Sequence, residues 1–111
     1  MEELPLEISP LELRRMLEAG EPVSLVDVRE PHEHARRRID GADLIPLGTI
    51  PQALPSLKEK AAERRLVLYC EKGVRSLRAA VWLRHRGIRH CQSMSGGIER
   101  WGAQAEPPRP L

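Results

Sequence analysis

The chain has no phenylalanine and no asparagine, and its aromatic residues are Tyr69, Trp82 and Trp101 alone. A core here must therefore be built mainly from Leu, Ile, Val, Ala and Met rather than from rings. It has two cysteines, Cys70 and Cys91, neither in a CxxC pair nor at a spacing from histidine that suggests zinc. A disulfide scaffold is excluded, and no metal or organic cofactor is expected. No apolar run approaches the ~20 residues that a membrane-crossing helix needs. Met1 is followed by Glu2 and Glu3 instead of a positive start and an apolar stretch, so no secretory signal is expected. The expected compartment is the cytoplasm, where both cysteines would be free thiols. Net charge is only +2, too small an excess to argue for nucleic acid. The lack of asparagine, the preference for arginine over lysine and the 10 prolines are compatible with a heat-adapted source.

What is present fits one soluble α/β domain. The 111 residues are 41% hydrophobic and 31% charged, enough to bury a core without a staple. Leu6 to Ile8 reads as a short strand. Ser9, Pro10 and Glu12 then start a helix: Ser9 as cap, Pro10 at the first helical position, Glu12 completing a capping box, with Gly20 as the stop. Val23 to Val28 is mostly apolar, with Asp27 an oddity near its end, and Leu66 to Tyr69 is continuously apolar, the pattern of parallel strands covered on both faces. Between them lie a polar loop or short helix from Glu30 to Arg38, a short strand at Leu44 and Ile45, a proline-broken segment from Pro46 to Pro55, and a helix from Ser56 to Arg64. A further helix is expected from about Ser76 to Arg86, apolar nearly all round at Ala79 to Leu83 and so packed centrally. His90 to Met94 would be a fifth strand, and Gly96-Gly97 opens a last helical turn with Trp101. Strands alternating with helices imply a parallel sheet with right-handed crossovers.

Cys70 stands where chemistry is expected. Ligands of open α/β sheets bind beyond the carboxyl ends of the strands, and Cys70 ends the second long apolar strand. A strand, a tight turn and a helix start together make a ring of backbone N–H donors that favours an anion, here the thiolate. In Cys70-Glu71-Lys72-Gly73-Val74-Arg75, Gly73 permits the backbone angles of a closed loop, and Arg75 sets a permanent cation across from the sulfur. Lys72 would attract an anionic donor and Glu71 opposes it. The competing reading is a buried structural cysteine.

With these residues the chain resembles the rhodanese-homology family of sulfurtransferases from Ile8 to about Trp101. The resemblance is carried by Ile8-Ser9-Pro10, by Leu25-Val26-Asp27-Val28-Arg29-Glu30-Pro31, by Ile39-Asp40-Gly41-Ala42 and Ile45-Pro46-Leu47, by Cys70 to Ser76, and by Gly96-Gly97-Ile98 with Trp101. It implies a rhodanese-like domain over residues 1–104, a five-stranded mainly parallel sheet with helices on both faces, and a proline-rich tail over 105–111. It implies that Cys70 takes sulfane sulfur from a small anionic donor such as thiosulfate, or from a persulfide, and passes it to a thiol, a protein acceptor or cyanide. Glu71, Lys72, Gly73, Val74 and Ser76 would form the binding loop with Arg75, and Asp27 and Arg29 would support it. For Asp27, simple pairing with a neighbouring arginine is an equal alternative. The sequence departs from the family's pattern at His34, often aromatic, at Arg37 and Arg38, often glycine-histidine, and at Glu71, often basic, which bears on donor preference.

The remaining candidates read more plainly. Arg36 to Arg38 are expected to be a solvated helix end, and His32, His34, His85 and His90 surface residues. Cys91 reads as a core residue, with a resolving thiol as the alternative, and Trp82 and Trp101 as packing. A cysteine phosphatase or arsenate reductase would need one more residue in the loop, C-x5-R, to hold a tetrahedral oxyanion. A carrier or binding module with little turnover is the other rival. Oligomeric state is not legible.

Overall fold

The computed structural model describes residues 4–102. The five strands are β1 (Glu7–Ile8), β2 (Val23–Asp27), β3 (Asp43–Leu44), β4 (Arg65–Tyr69) and β5 (Gln92–Met94). They form one sheet in the order β1-β5-β4-β2-β3, parallel at every pairing. The centre is β2 against β4, in register from Val23–Arg65 to Asp27–Tyr69.

Successive side chains of a strand point to opposite faces, and the two long strands use both. Leu66, Leu68 and Cys70 join Val26 and Val28 on one face, beneath helices α3 (Ile50–Glu63) and α4 (Val74–His85). Leu25, Val67 and Tyr69 face the other way, toward Leu13 and Met16 of α1 (Pro10–Glu18), Ile98 of α5 (Gly97–Arg100), and Trp101. Leu66, Val67, Leu68 and Tyr69 are all fully buried, each aliphatic side chain contributing about 1.5–3 kcal/mol of transfer free energy. This is why the segment reads as an unbroken apolar run.

At α1, the Ser9 hydroxyl accepts the Glu12 N–H at 3.1 Å, which is the Ser9 half of the expected capping box. Gly20, at φ +73°, ends the helix as expected, donating to Leu17 O while Glu21 N–H reaches Met16 O. Three expectations need correction. The segment from Pro46 to Pro55 is not broken: a 3-10 turn at Leu47–Thr49 runs into α3, which starts at Ile50 instead of Ser56 and carries Pro55 inside it. Pro51 sits in the first turn, where its missing N–H has no intrahelical role. The interior Pro55 costs about 3 kcal/mol, offset by burial of Ile50, Leu57 and Ala61. Second, α4 starts at Val74, which places Arg75 and Ser76 in its first turn. Third, α4 is not apolar all round toward the core: Ala79, Ala80 and Leu83 are buried, but Val81 is exposed. The expected tail over 105–111 lies outside the described residues. Among the described residues, no helix is long and apolar enough to cross a membrane.

Candidate active site

Cys70 follows the last residue of β4, and its side chain turns into the loop that leads to α4. The sulfur is enclosed but not sealed among apolar groups. Gly73 N–H donates to Sγ at 3.1 Å and Ser76 N–H at 3.3 Å, with the Ser76 hydroxyl at 3.4 Å. Two amides of the expected ring of donors thus reach the sulfur, with the Ser76 hydroxyl beside them. Ser76 can serve because amides in a helix's first turn have no carbonyl of their own helix to bind. Gly73 can serve because it adopts φ +97°, a conformation side chains disfavour. A Cβ there would also stand 3.1 Å from Gly96 N.

The first half of the loop is clasped from behind by α5. Ile98 N–H donates to Cys70 O at 2.9 Å and Glu99 N–H to Glu71 O at 3.1 Å. Gly97, at φ +63°, lies so close that a Cβ would collide with the Glu71 and Cys70 carbonyls. The glycine pair therefore positions the loop as well as starting a helix. The Lys72 side chain is exposed and Val74 is 67% exposed, so both border the loop's outer side, while Glu71 is half-buried.

Arg75 does not reach across to the sulfur as expected. Its guanidinium is held by both carboxylate oxygens of Glu33, Nη1 to Oε1 at 2.8 Å and Nη2 to Oε2 at 2.9 Å. Glu33 sits in α2 (Pro31–Arg36) and also accepts Glu30 N–H at 2.9 Å. The Arg75 hydrogen bonds hold the Glu33 carboxyl down at about 2, and in turn raise the Arg75 guanidinium above its ordinary value. Among the described residues, Arg75 donates its side-chain hydrogen bonds to Glu33 and none to Cys70. Sequence reasoning missed Glu33. Its signal was the Glu30-Pro31-His32-Glu33 spacing, a helix start whose third residue is a carboxylate.

Asp27 and Arg29 lie one step further back. Asp27 Oδ1 accepts from Arg29 N–H at 2.9 Å and Nε–H at 3.0 Å, and Oδ2 from Nη2 at 2.9 Å. Arg29 Nη2 also donates to Arg37 O, and its guanidinium lies 5.6 Å from the Tyr69 ring centre. Burial pushes the Asp27 carboxyl up, but the Arg29 and His34 hydrogen bonds outweigh it and hold it below its ordinary value. His34 Nδ1 is 2.9 Å from Asp27 Oδ2 and the side chain is only 18% exposed, so it is no plain surface residue, contrary to expectation. The pair thus grips the C-terminal end of α2, at His34 and at Arg37 O, and α2 carries Glu33 to Arg75. Among the described residues, no hydrogen bond joins the Asp27 or Arg29 side chain directly to the loop.

Other residues fall outside the site. His32, His85 and His90 are exposed. Cys91 is fully buried, its thiol donating to Ala80 O at 3.4 Å, and burial pushes it up to about 11. Both cysteines are free. Trp101 is buried against the α1 face and Trp82 packs at the edge of the α3–α4 face. Among the described residues, no cluster of His, Cys, Asp or Glu could hold a metal ion.

The chain as a whole is similar to known proteins. The chain is similar to the probable adenylyltransferase/sulfurtransferase MoeZ of Mycobacterium tuberculosis, 39% identical over 100 residues, which cover 90% of this chain and 25% of that protein. It thus spans about a quarter of the length of that relative. The human single-domain sulfurtransferase TSTD1 superposes with a TM-score of 0.76 at 30% identity, over 94% of this chain and all of that one (100%). A Rhodopseudomonas palustris protein described as a possible tyrosine phosphatase superposes with a TM-score of 0.81 over 93% of this chain and 83% of that one, but at 23% identity it shows the fold alone. The rhodanese-like domain profile matches residues 9–104. By that match, by its all-parallel five-stranded fold and by its likeness to proteins named sulfurtransferases, the chain belongs to the rhodanese-like domain family.

Proposed function

We propose that this protein is a sulfurtransferase that carries sulfane sulfur as a persulfide on Cys70. The Cys70 thiolate attacks the outer sulfur of the donor, and the donor's remaining fragment leaves with the bonding electron pair: sulfite from thiosulfate, a thiolate from a persulfide. An acceptor thiolate or cyanide then attacks the outer sulfur of Cys70–S–S⁻, and the Cys70 thiolate departs. Electrons balance in each half without an external oxidant, so the scheme calls on no metal or organic cofactor. Gly73 and Ser76 donate to the sulfur in both its attacking and its leaving role. Lys72 draws anionic donors toward the loop, Glu71 and Val74 line its rim, and a reducing cytoplasm would keep Cys70 free.

The observation that carries this reading is the direct grip of two amides and a hydroxyl on Sγ at the carboxyl end of a central parallel strand. Such donors favour the anion that a nucleophile or leaving group must be. The same grip argues against phosphoryl or arsenate chemistry, in which the loop amides bind the oxyanion's oxygens; here the loop has only four residues between Cys70 and Arg75 and closes on the sulfur itself.

Thiocyanate release from thiosulfate and cyanide tests the reading. The wild type is expected to turn over and Cys70→Ala to fall to background, while neither hydrolyses a phosphate ester. Equal thiocyanate rates in the two proteins would remove Cys70 from the mechanism, and brisk phosphate release would favour the rival chemistry.

A further inference from the structure

Behind the Cys70 loop lies a polar contact that the sulfur chemistry above does not yet use. Ser93 is on β5, opposite Leu68 of β4 in the sheet register, and is fully buried. Its hydroxyl oxygen is 2.8 Å from that of Ser76, which is equally buried and stands 3.4 Å from Cys70 Sγ. The three side chains form a chain from the sheet interior to the sulfur.

Each hydroxyl has one proton and can accept through its lone pairs. The Ser76 proton can go to the sulfur or to Ser93, but not to both. A thiolate only accepts, so charged sulfur draws the Ser76 proton to itself. The short Ser76–Ser93 contact is then attractive only if Ser93 supplies the proton for it. When the sulfur is a thiol, the order reverses: S–H donates to Ser76 and Ser76 to Ser93. The direction of the two hydroxyls follows the charge on Cys70.

We propose that Ser93 is a positioning residue for sulfur transfer: its hydroxyl donates to Ser76 and so aims the Ser76 proton at Cys70 Sγ whenever that sulfur is an anion. Ser93 touches neither donor nor acceptor, and no bond to either serine is made or broken. Chained hydrogen bonds polarise one another in a low-dielectric interior, so the donation from Ser93 strengthens the one received by the sulfur. This rests on Cys70 being the sulfur carrier, although the contact itself exists independently of that reading.

The test compares Ser93→Thr with Ser93→Val, which are close in shape and differ by a hydroxyl against a methyl. The readout is the Cys70 thiolate fraction against pH, from thiolate absorbance in the ultraviolet. Cys91, pushed up to about 11, and Tyr69, pushed up to about 12, stay protonated over the working range. The charged groups around the loop, Glu71, Lys72, Arg75 with Glu33, and the Asp27–Arg29 pair, are the same in all variants. A charge-assisted bond strengthened by ~10–30% corresponds to roughly a two- to threefold change in thiolate fraction below the midpoint. Ser93→Thr is expected to follow the wild type, while Ser93→Val shows that two- to threefold loss and the same loss in the rate of persulfide formation, vanishing at high pH. Should Ser93→Val not fold, Ser93→Ala against Ser93→Thr supplies the contrast. Identical titration of the hydroxyl-bearing and hydroxyl-lacking variants overturns the proposal. If the wild type forms no thiocyanate, the sulfurtransferase reading fails instead, and the titration still decides the role of Ser93.

Discussion

The two flanks of the Cys70 loop are held by different chemistry. On the β5–α5 side the fastening is backbone on backbone: Ile98 and Glu99 amides reach the Cys70 and Glu71 carbonyls, and Gly97 lets the chains approach. On the α2 side it is charge on charge: Asp27, Arg29 and His34 fix α2, and Glu33 of α2 grips Arg75. The first set carries no titratable group, so it is indifferent to pH and salt. In the second, the Asp27–Arg29 pair is buried, but the Arg75–Glu33 pair is partly exposed, at 33% and 21%, and is open to screening. The sulfur sits between them. Its amide partners are set by the uncharged flank and the helix start, whereas its electrostatic surroundings are set by the charged one.

That contrast can be broken most severely at Gly97. Gly97→Ala forces a Cβ against the Glu71 and Cys70 carbonyls at a positive φ. Displacing reacting groups by about 1 Å removes on the order of a hundredfold in rate, and a similar loss of thiocyanate turnover is expected, with a lowered Tm. An unchanged rate would show that the uncharged flank does not set the loop.

Glu33→Gln addresses the other flank with a smaller effect. The pair is partly exposed, so its removal is expected to lower stability by about 1 kcal/mol at neutral pH and low salt, and the gap should narrow as salt is added. Glu33 is held at about 2 against an ordinary 4.5. A depressed carboxyl stabilises the fold fully above its unfolded value and loses that contribution as pH falls through its folded value. Denaturant unfolding should therefore show the wild-type advantage over Glu33→Gln intact above about pH 4.5 and fading toward pH 2. A difference independent of both salt and pH would make the role of Glu33 one of packing.

The smallest effect is expected at Lys72, which is exposed and has no hydrogen bond or ion pair among the described residues. Lys72→Ala should leave stability within about 0.5 kcal/mol. It should raise the KM for thiosulfate roughly two- to threefold at low ionic strength, leaving kcat in place. A change in kcat instead would mean that Lys72 acts on the loop's shape.

Legibility in the sequence follows the same division. The apolar strands, the glycine stops and the Cys70–Gly73 turn were readable because each rests on local pattern or on one residue's backbone freedom. The long-range polar contacts were not. The pairing of Glu33 with Arg75 spans 42 positions and that of Ser76 with Ser93 spans 17, so no local pattern marks either one. His34 looked like a surface residue because α2 has no large apolar side chain, and only the fold brings Asp27 beneath it. The start of α3 was misplaced because its prolines read as breakers, although burial of Ile50 and Leu57 outweighs that local cost.

The central claim is tested most directly by intact and peptide mass after incubation with a sulfane-sulfur donor. A gain of about 32 Da on the Cys70 peptide, removed by reductant and absent from Cys70→Ala, is the predicted result. Sulfur accumulating on Cys91, or a gain that persists in Cys70→Ala, would contradict it.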